Sequence, residues 1–256
     1  MTMRKAVSAV VGLAALVLGA TGAAAESDTP LPHVNWSFSG PFGTYDRRAL
    51  QHGFEIYQNV CSACHSLNLV HYHDLSALGY TDEQIKAIAA QKQVADINDA
   101  GQPIQRPARP SDAFVAPFPN EKAARAANNG ALPPDQSLLV KAREGGADYI
   151  YGILTDYATP PADLKVPDGM YYDKMFPSDT HEFAMPQPLQ DGSVTYDDGT
   201  KPSLDQEAAD VTTFLAWAAD PTMEERKQTG AKVIIFLVVL TLVLYAAKRK
   251  IWAALH

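Results

Sequence analysis

Apolar positions recur at helical spacing in several stretches of the chain and lose that spacing between them. Residues 46–59 place Leu50, Phe54 and Tyr57 on one face behind Asp46, a natural cap. Residues 81–95 repeat the pattern with Ile85, Ile88 and Ala89 behind Thr81. Shorter helices are predicted over 121–128, stopped by Asn129 and Gly130, over 136–143, started by Pro133 and Pro134, and over 148–156. The strongest pattern is 204–219, where Val211, Phe214, Leu215 and Ala218 form an apolar face that ends at Asp220-Pro221. The rest is irregular. Residues 26–45 read as an extended lead-in rich in Pro, Ser, Gly and aromatics. Residues 96–120 hold five prolines and read as a long surface loop. Residues 159–203 carry most of the remaining Pro and Gly, with a turn signal at Tyr196-Asp197-Asp198-Gly199.

Two uninterrupted apolar runs lie at the ends. Arg4 and Lys5 precede a small-residue apolar run, and Ala23-Ala24-Ala25 offers a cleavage site, so residues 1–25 read as a secretory signal peptide. Residues 233–247 carry no charge. Fifteen helical residues span about 22 Å, short of the ~30 Å hydrocarbon core, and the helix reaches back to Gly230 if Lys232 snorkels. Lys248-Arg249-Lys250 follows at once, with Trp252 suited to the headgroup zone. The domain plan is an exported domain over 26–229, one transmembrane helix over 230–247 and a short cytoplasmic tail over 248–256. The positive-inside rule puts the C-terminal end in the cytoplasm, and the expected location is the inner (cell) membrane with the exported domain on the periplasmic side.

Composition is that of a folded domain, 46% hydrophobic and 20% charged. Fifteen Lys and Arg oppose all 29 Asp and Glu between Glu26 and Gly230, leaving the exported part at about −14. That sign excludes nucleic acid as a partner. It would steer a basic protein partner toward the domain.

Both cysteines lie in Cys61-Ser62-Ala63-Cys64-His65. One close pair makes no disulfide framework. Two thiols at this spacing can each add to a vinyl group of haem, and the adjacent His then lies under the iron. A zinc site wants further ligands at matching spacing, and no other cysteine exists. A thioredoxin-like dithiol wants a preceding strand, whereas here a helix precedes. The chain is therefore expected to carry one covalently attached haem c. The predicted fold is mainly α: a c-type cytochrome-like haem domain with long Pro/Gly-rich loops, plus one C-terminal transmembrane helix.

The sixth ligand decides what such a haem does. An open iron binds small molecules or catalyses, whereas a second strong ligand makes an electron carrier. Met170, Met175, Met185 and Met223 are available, with His52, His71, His73 and His181 as rivals. Met185 stands out within Phe183-Ala184-Met185-Pro186-Gln187-Pro188, where prolines stiffen the loop. The local pattern leaves the choice open.

Taken in order, several motifs resemble cytochrome c1, the haem subunit of the cytochrome bc1 complex (quinol:cytochrome c oxidoreductase). They are Trp36-Ser37-Phe38-Ser39-Gly40-Pro41-Phe42-Gly43, the haem motif, the stretch from Pro119 through Ala124-Arg125-Ala126-Ala127-Asn128-Asn129-Gly130 to Pro133-Pro134-Asp135, Ala184-Met185-Pro186, and Asp210-Val211-Thr212-Thr213-Phe214. The resemblance implies haem attachment at Cys61 and Cys64, with axial ligands His65 and Met185. It implies Arg125 as a haem-propionate partner and Asn129, Pro133 and Pro134 as pocket wall. It further implies electron passage from a Rieske iron–sulfur protein to a c-type cytochrome, beside cytochrome b in a dimeric complex. Glu182, Asp205, Glu207 and Asp210 are the acidic candidates for docking. The chain departs from the family in carrying Gln136 where Leu is usual, and in lacking an extra cysteine pair. The competing reading is a free-standing membrane-anchored enzyme with an open haem.

Overall fold

Residues 29–253 are described by a computed structural model. The chain divides at Pro30 into two units, and the account below concerns Leu31 onward. The expected signal peptide (1–25) lies outside the described residues.

Seven helices are described: α1 (Arg47–Asn59), α2 (Asp82–Ala90), α3 (Glu121–Ala127), α4 (Leu139–Ala142), α5 (Gly146–Thr155), α6 (Leu204–Ala219) and α7 (Met223–Trp252). Local chemistry explains most of their starts. Asp46 accepts from the amides of Arg48 and Ala49 at 2.8 and 3.2 Å, capping α1. Thr81 and Gln84 exchange backbone-to-side-chain bonds at 2.8 and 3.3 Å, a capping box for α2.

Two expectations shift. Helix α2 stops at Ala90 rather than 95, because β1 (Gln93–Ile97) pairs antiparallel with β2 (Pro103–Pro107). This hairpin occupies part of the predicted loop. β1 alternates in burial, but its half-buried positions are Val94 and Asp96 and β2 holds two prolines, so the residue types lack the apolar–polar alternation that marks a strand. Arg106 holds it instead, donating to Asp112 at 2.6 and 3.1 Å and pairing with Asp96. Helix α4 is a single turn rather than 136–143, because the segment before it is tied to another loop: Gln136 N donates to Ser66 O at 2.9 Å.

Helix α6 runs through the core. The predicted one-faced helix is in fact buried almost all round, Glu207 and Asp210 included. Val194 N donates to Glu207 at 2.9 Å. Asp210 accepts from the Tyr196 hydroxyl and the Gln206 amide, both at 2.8 Å, and lies 3.3 Å from His52 Nδ1. Burial raises the Asp210 carboxyl above its ordinary value, although these bonds pull the other way. Glu207 and Asp210 are thus internal fasteners, which removes them from the docking candidates.

Helix α1 lies directly on α6. A Cβ at Gly53 would stand 2.2 Å from the Asp210 carbonyl oxygen and 2.6 Å from Phe214 Cβ. That approach lets Phe54 and Tyr57 pack on Phe214, with ring centroids 5.8 and 5.7 Å away.

Only residues 220–222 separate α6 from α7. Met223 is buried in the core. Tyr45 N and Arg47 bind Glu224 at 2.8 and 2.9 Å, and Lys227 Nζ donates to the carbonyls of Phe38 and Gly43 at 2.7 and 3.1 Å. The membrane-proximal turns of α7 are therefore part of the folded domain. Beyond them the helix has a mean hydropathy of 2.4 over its apolar window and none of that window is buried. Thirty residues rise about 45 Å, enough to cross a bilayer. A continuous apolar surface of this size requires lipid cover, and α7 anchors the protein to a membrane.

Gly53→Ala is expected to destabilise the domain by about 2 kcal/mol through overpacking of α1 on α6. Chemical denaturation followed by far-UV circular dichroism checks this, and an unchanged midpoint contradicts the close approach.

Candidate functional site

Helix α1 delivers the chain straight into Cys61–Ala63, a 3-10 turn. Cys64 N and His65 N both donate to the Cys61 carbonyl, at 3.1 and 2.8 Å. These tight bonds put Cys61, Cys64 and His65 on the wall of one cavity of about 360 Å³. Cofactor pockets run from roughly 300 to 1,000 Å³. The cysteines are free thiols. Burial pushes the Cys61 thiol up to about 12, aided by neighbouring Cys64. Among the described residues no cluster of three or more His, Cys, Asp or Glu side chains is placed to hold a metal ion.

His65 Nδ1 lies 2.8 Å from the Pro134 carbonyl oxygen, to which it must donate. Burial lowers the imidazole pKa, which the bond to Pro134 and the charge of Asp135 oppose, and the net shift is downward. A neutral ring whose Nδ1 carries the proton keeps the Nε2 lone pair for a metal.

The Pro134 carbonyl is held in place by a latch 69 residues away in sequence. Asp135 accepts from Ser66 Oγ at 2.7 Å, from Asn68 N at 2.9 Å and from Ser137 N at 2.9 Å. Ser137 Oγ in turn accepts from Leu69 N at 3.0 Å. Pro133 and Pro134 both line the cavity, as the motif implied.

Met185 is the methionine in this wall among the described residues. Met175 is fully buried elsewhere, against Gly152, and Met223 belongs to the core at the start of α7. Met170 is outside the lining, and so are His52, His71, His73 and His181. The Met185 segment follows a small hairpin in which β3 (Tyr171–Tyr172) pairs with β4 (Glu182–Phe183). Phe183 stacks on Phe176 at 4.6 Å, and the Tyr157 hydroxyl donates to the Met185 carbonyl at 2.9 Å. Packing and one hydrogen bond thus hold the loop without a disulfide.

Arg125 and Asn129 stand outside the cavity lining. The Arg125 guanidinium donates to the Gly130 carbonyl at 3.1 Å. Asn129 takes a left-handed backbone (φ 50°) in the turn that ends α3. The cation in the wall is Arg143, accompanied by Asn128 and Tyr149. No motif marks Arg143; its place follows from α4 being a single turn. The chain's unusual Gln136 also lines the cavity, 6% exposed, and its Oε1 has no hydrogen-bond partner.

Paired thiols, an imidazole with one nitrogen already engaged, a thioether and a guanidinium, set among Leu132, Ile153 and Leu215, fit a haem. A helical domain that holds haem this way and ends in an apolar anchor is a membrane-anchored c-type cytochrome. Residues 36–255 match the Cytochrome C1 family. Cytochrome c1 of Rhodospirillum rubrum is 43% identical over 254 residues, covering 93% of each chain. The mitochondrial cytochrome c1 heme protein of Saccharomyces cerevisiae is 44% identical over 234 residues, 91% of this chain and 75% of its own. Cytochrome b/c1 of Bradyrhizobium diazoefficiens is 43% identical over 97% of this chain, which spans 39% of that longer protein. The chain belongs to the cytochrome c1 family, the haem-carrying electron-transfer subunits of the cytochrome bc1 complex.

The latch predicts a pH effect. Burial alone would raise the Asp135 carboxyl, but bonds from Ser137, Asn68 and Ser66 hold it below its ordinary value. Its contribution is therefore complete above the unfolded value of about 3.9 and is lost as pH falls through the lower folded value. Asp135→Asn should lower stability at pH 7 and lose less on acidification than the parent protein. Denaturation midpoints at pH 7 and in the acid range check both signs.

Proposed function

We propose that Cys61 and Cys64 bind the haem through thioethers, that His65 Nε2 and Met185 Sδ are its axial ligands, and that Arg143 takes the propionate role expected of Arg125. The observation that carries this is the shared cavity wall of His65 and Met185, with His65 Nδ1 already committed to Pro134. The haem supplies a one-electron iron couple. The protein's residues fix its surroundings. The thioether favours the ferrous state and the apolar walls exclude water, both of which raise the potential. Arg143 in the cavity wall would offer a propionate a charge-assisted bond. No proton transfer or bond cleavage is asked of any side chain.

The donor is a Rieske iron–sulfur protein and the acceptor a c-type cytochrome, in a dimeric complex with cytochrome b. The haem domain sits on the periplasmic side of the inner membrane, with residues 230–247 as the span and the C-terminus in the cytoplasm. The net charge of about −14 supports a basic acceptor, because opposite fields speed encounter. Glu182 and the exposed Asp205 remain as acidic candidates for that surface.

Met185→Leu should retain covalent haem but lower the midpoint potential by a sizeable share of the roughly 0.8 V that axial ligands span. A potentiometric titration at the parent value would show that Met185 is not a ligand. Arg143→Gln should lower the potential by tens of millivolts, on the scale of about 1 kcal/mol for a partly screened charge, and by more than Arg125→Gln does. Equal shifts in the two variants would remove Arg143 from the site.

A further inference from the structure

Phe42 is 86% exposed, and no large apolar side chain among the described residues is more so. It sits in a turn closed by Thr44 N donating to Ser37 O at 3.1 Å, with Gly40 supplying the left-handed position (φ +72°) that the apex needs. From Val34 to Tyr45 the chain has no charged residue, although the domain around it is strongly acidic.

The turn is fastened to α7. Arg47 and Tyr45 N bind Glu224, whereas Phe38 and Gly43 bind Lys227 through their carbonyls. Contacts therefore advance along α7 toward its apolar segment as the chain is followed back from Arg47 into the turn. Residues 39–42 are the apex of the turn whose two stems, Phe38 and Gly43, Lys227 holds. Lys227 precedes Val233 by six residues, about 9 Å of helical rise. The interfacial layer outside the hydrocarbon is about 5–8 Å deep on each side. The Lys227 backbone that holds the stems of the turn therefore stands about 9 Å from the apolar segment, at the outer edge of the headgroup layer. The turn itself carries no acidic residue, and of the carboxylates nearest it Glu224 is paired with Arg47 while Asp46 caps α1.

We propose that the turn at residues 39–43 is a second membrane contact, with the Phe42 ring seated among the phospholipid glycerol and carbonyl groups. Aromatic rings favour that layer. Two points of attachment, the span and Phe42, restrict rotation of the domain about α7 and hold the cavity at one orientation over the bilayer. The inference rests on α7 crossing the membrane with the haem domain next to the bilayer.

The test uses the full chain in its native membranes, with Phe42→p-benzoylphenylalanine in one preparation and Leu240→p-benzoylphenylalanine in another. After illumination, the peptide containing each position is analysed by mass spectrometry. The expected result is a phospholipid adduct at both positions. Adducts at 240 alone, or cross-linking of 42 to another protein, overturn the inference and leave the span intact. Absence of a lipid adduct at 240 refutes the span, and the inference falls with it.

Discussion

The hydrogen bond from His65 Nδ1 to the Pro134 carbonyl decides which face of the imidazole is free. With Nδ1 committed, Nε2 is the nitrogen left for iron. The constraint depends on two segments that are distant in sequence. Cys61 to His65 are wound tightly off the end of α1, while residues 133–137 are latched against them by Asp135 and Ser137. Proline suits the accepting position: its fixed φ directs the carbonyl, and its missing N–H leaves nothing unsatisfied beside an apolar cavity.

The latch is supported by the packing of α1 on α6. Gly53 admits α6 close enough for Phe54, Tyr57 and Phe214 to interlock, and α6 carries Val211 and Leu215 into the cavity wall. The same helix is followed within three residues by α7, whose first turns are bound by Tyr45, Arg47 and the carbonyls around Lys227. Cavity, core and anchor are therefore mechanically continuous. An electron carrier facing partners held in the same membrane is served by this arrangement, since a flexible tether would leave the orientation of the site to chance.

What the sequence showed plainly was chemistry held in contiguous residues. Cys61 to His65, the helix of 204–219 and the apolar run at the C-terminus each declare themselves through spacing or hydropathy. Asp46 and Thr81 marked helix starts by a local hydrogen bond that a reader can infer. The rest depended on distant contacts. The β1–β2 hairpin is held by the Arg106 ion pairs rather than by alternating apolar residues, so no strand pattern existed to find. Glu207 and Asp210 looked solvated because their partners Val194, Tyr196 and His52 lie on other elements. Arg143 lies in the cavity wall as the extended residue that ends α4, a place no local spacing marks. Arg125 shares a motif with pocket residues but stands outside the cavity lining, with one guanidinium nitrogen on the Gly130 carbonyl.

The central claim is that one haem is held between His65 and Met185. Near-infrared magnetic circular dichroism of the ferric protein reads the axial pair directly. The expected spectrum carries the charge-transfer signature of histidine–thioether ligation. A high-spin spectrum with water in the sixth position, or the signature of two histidines, would contradict it.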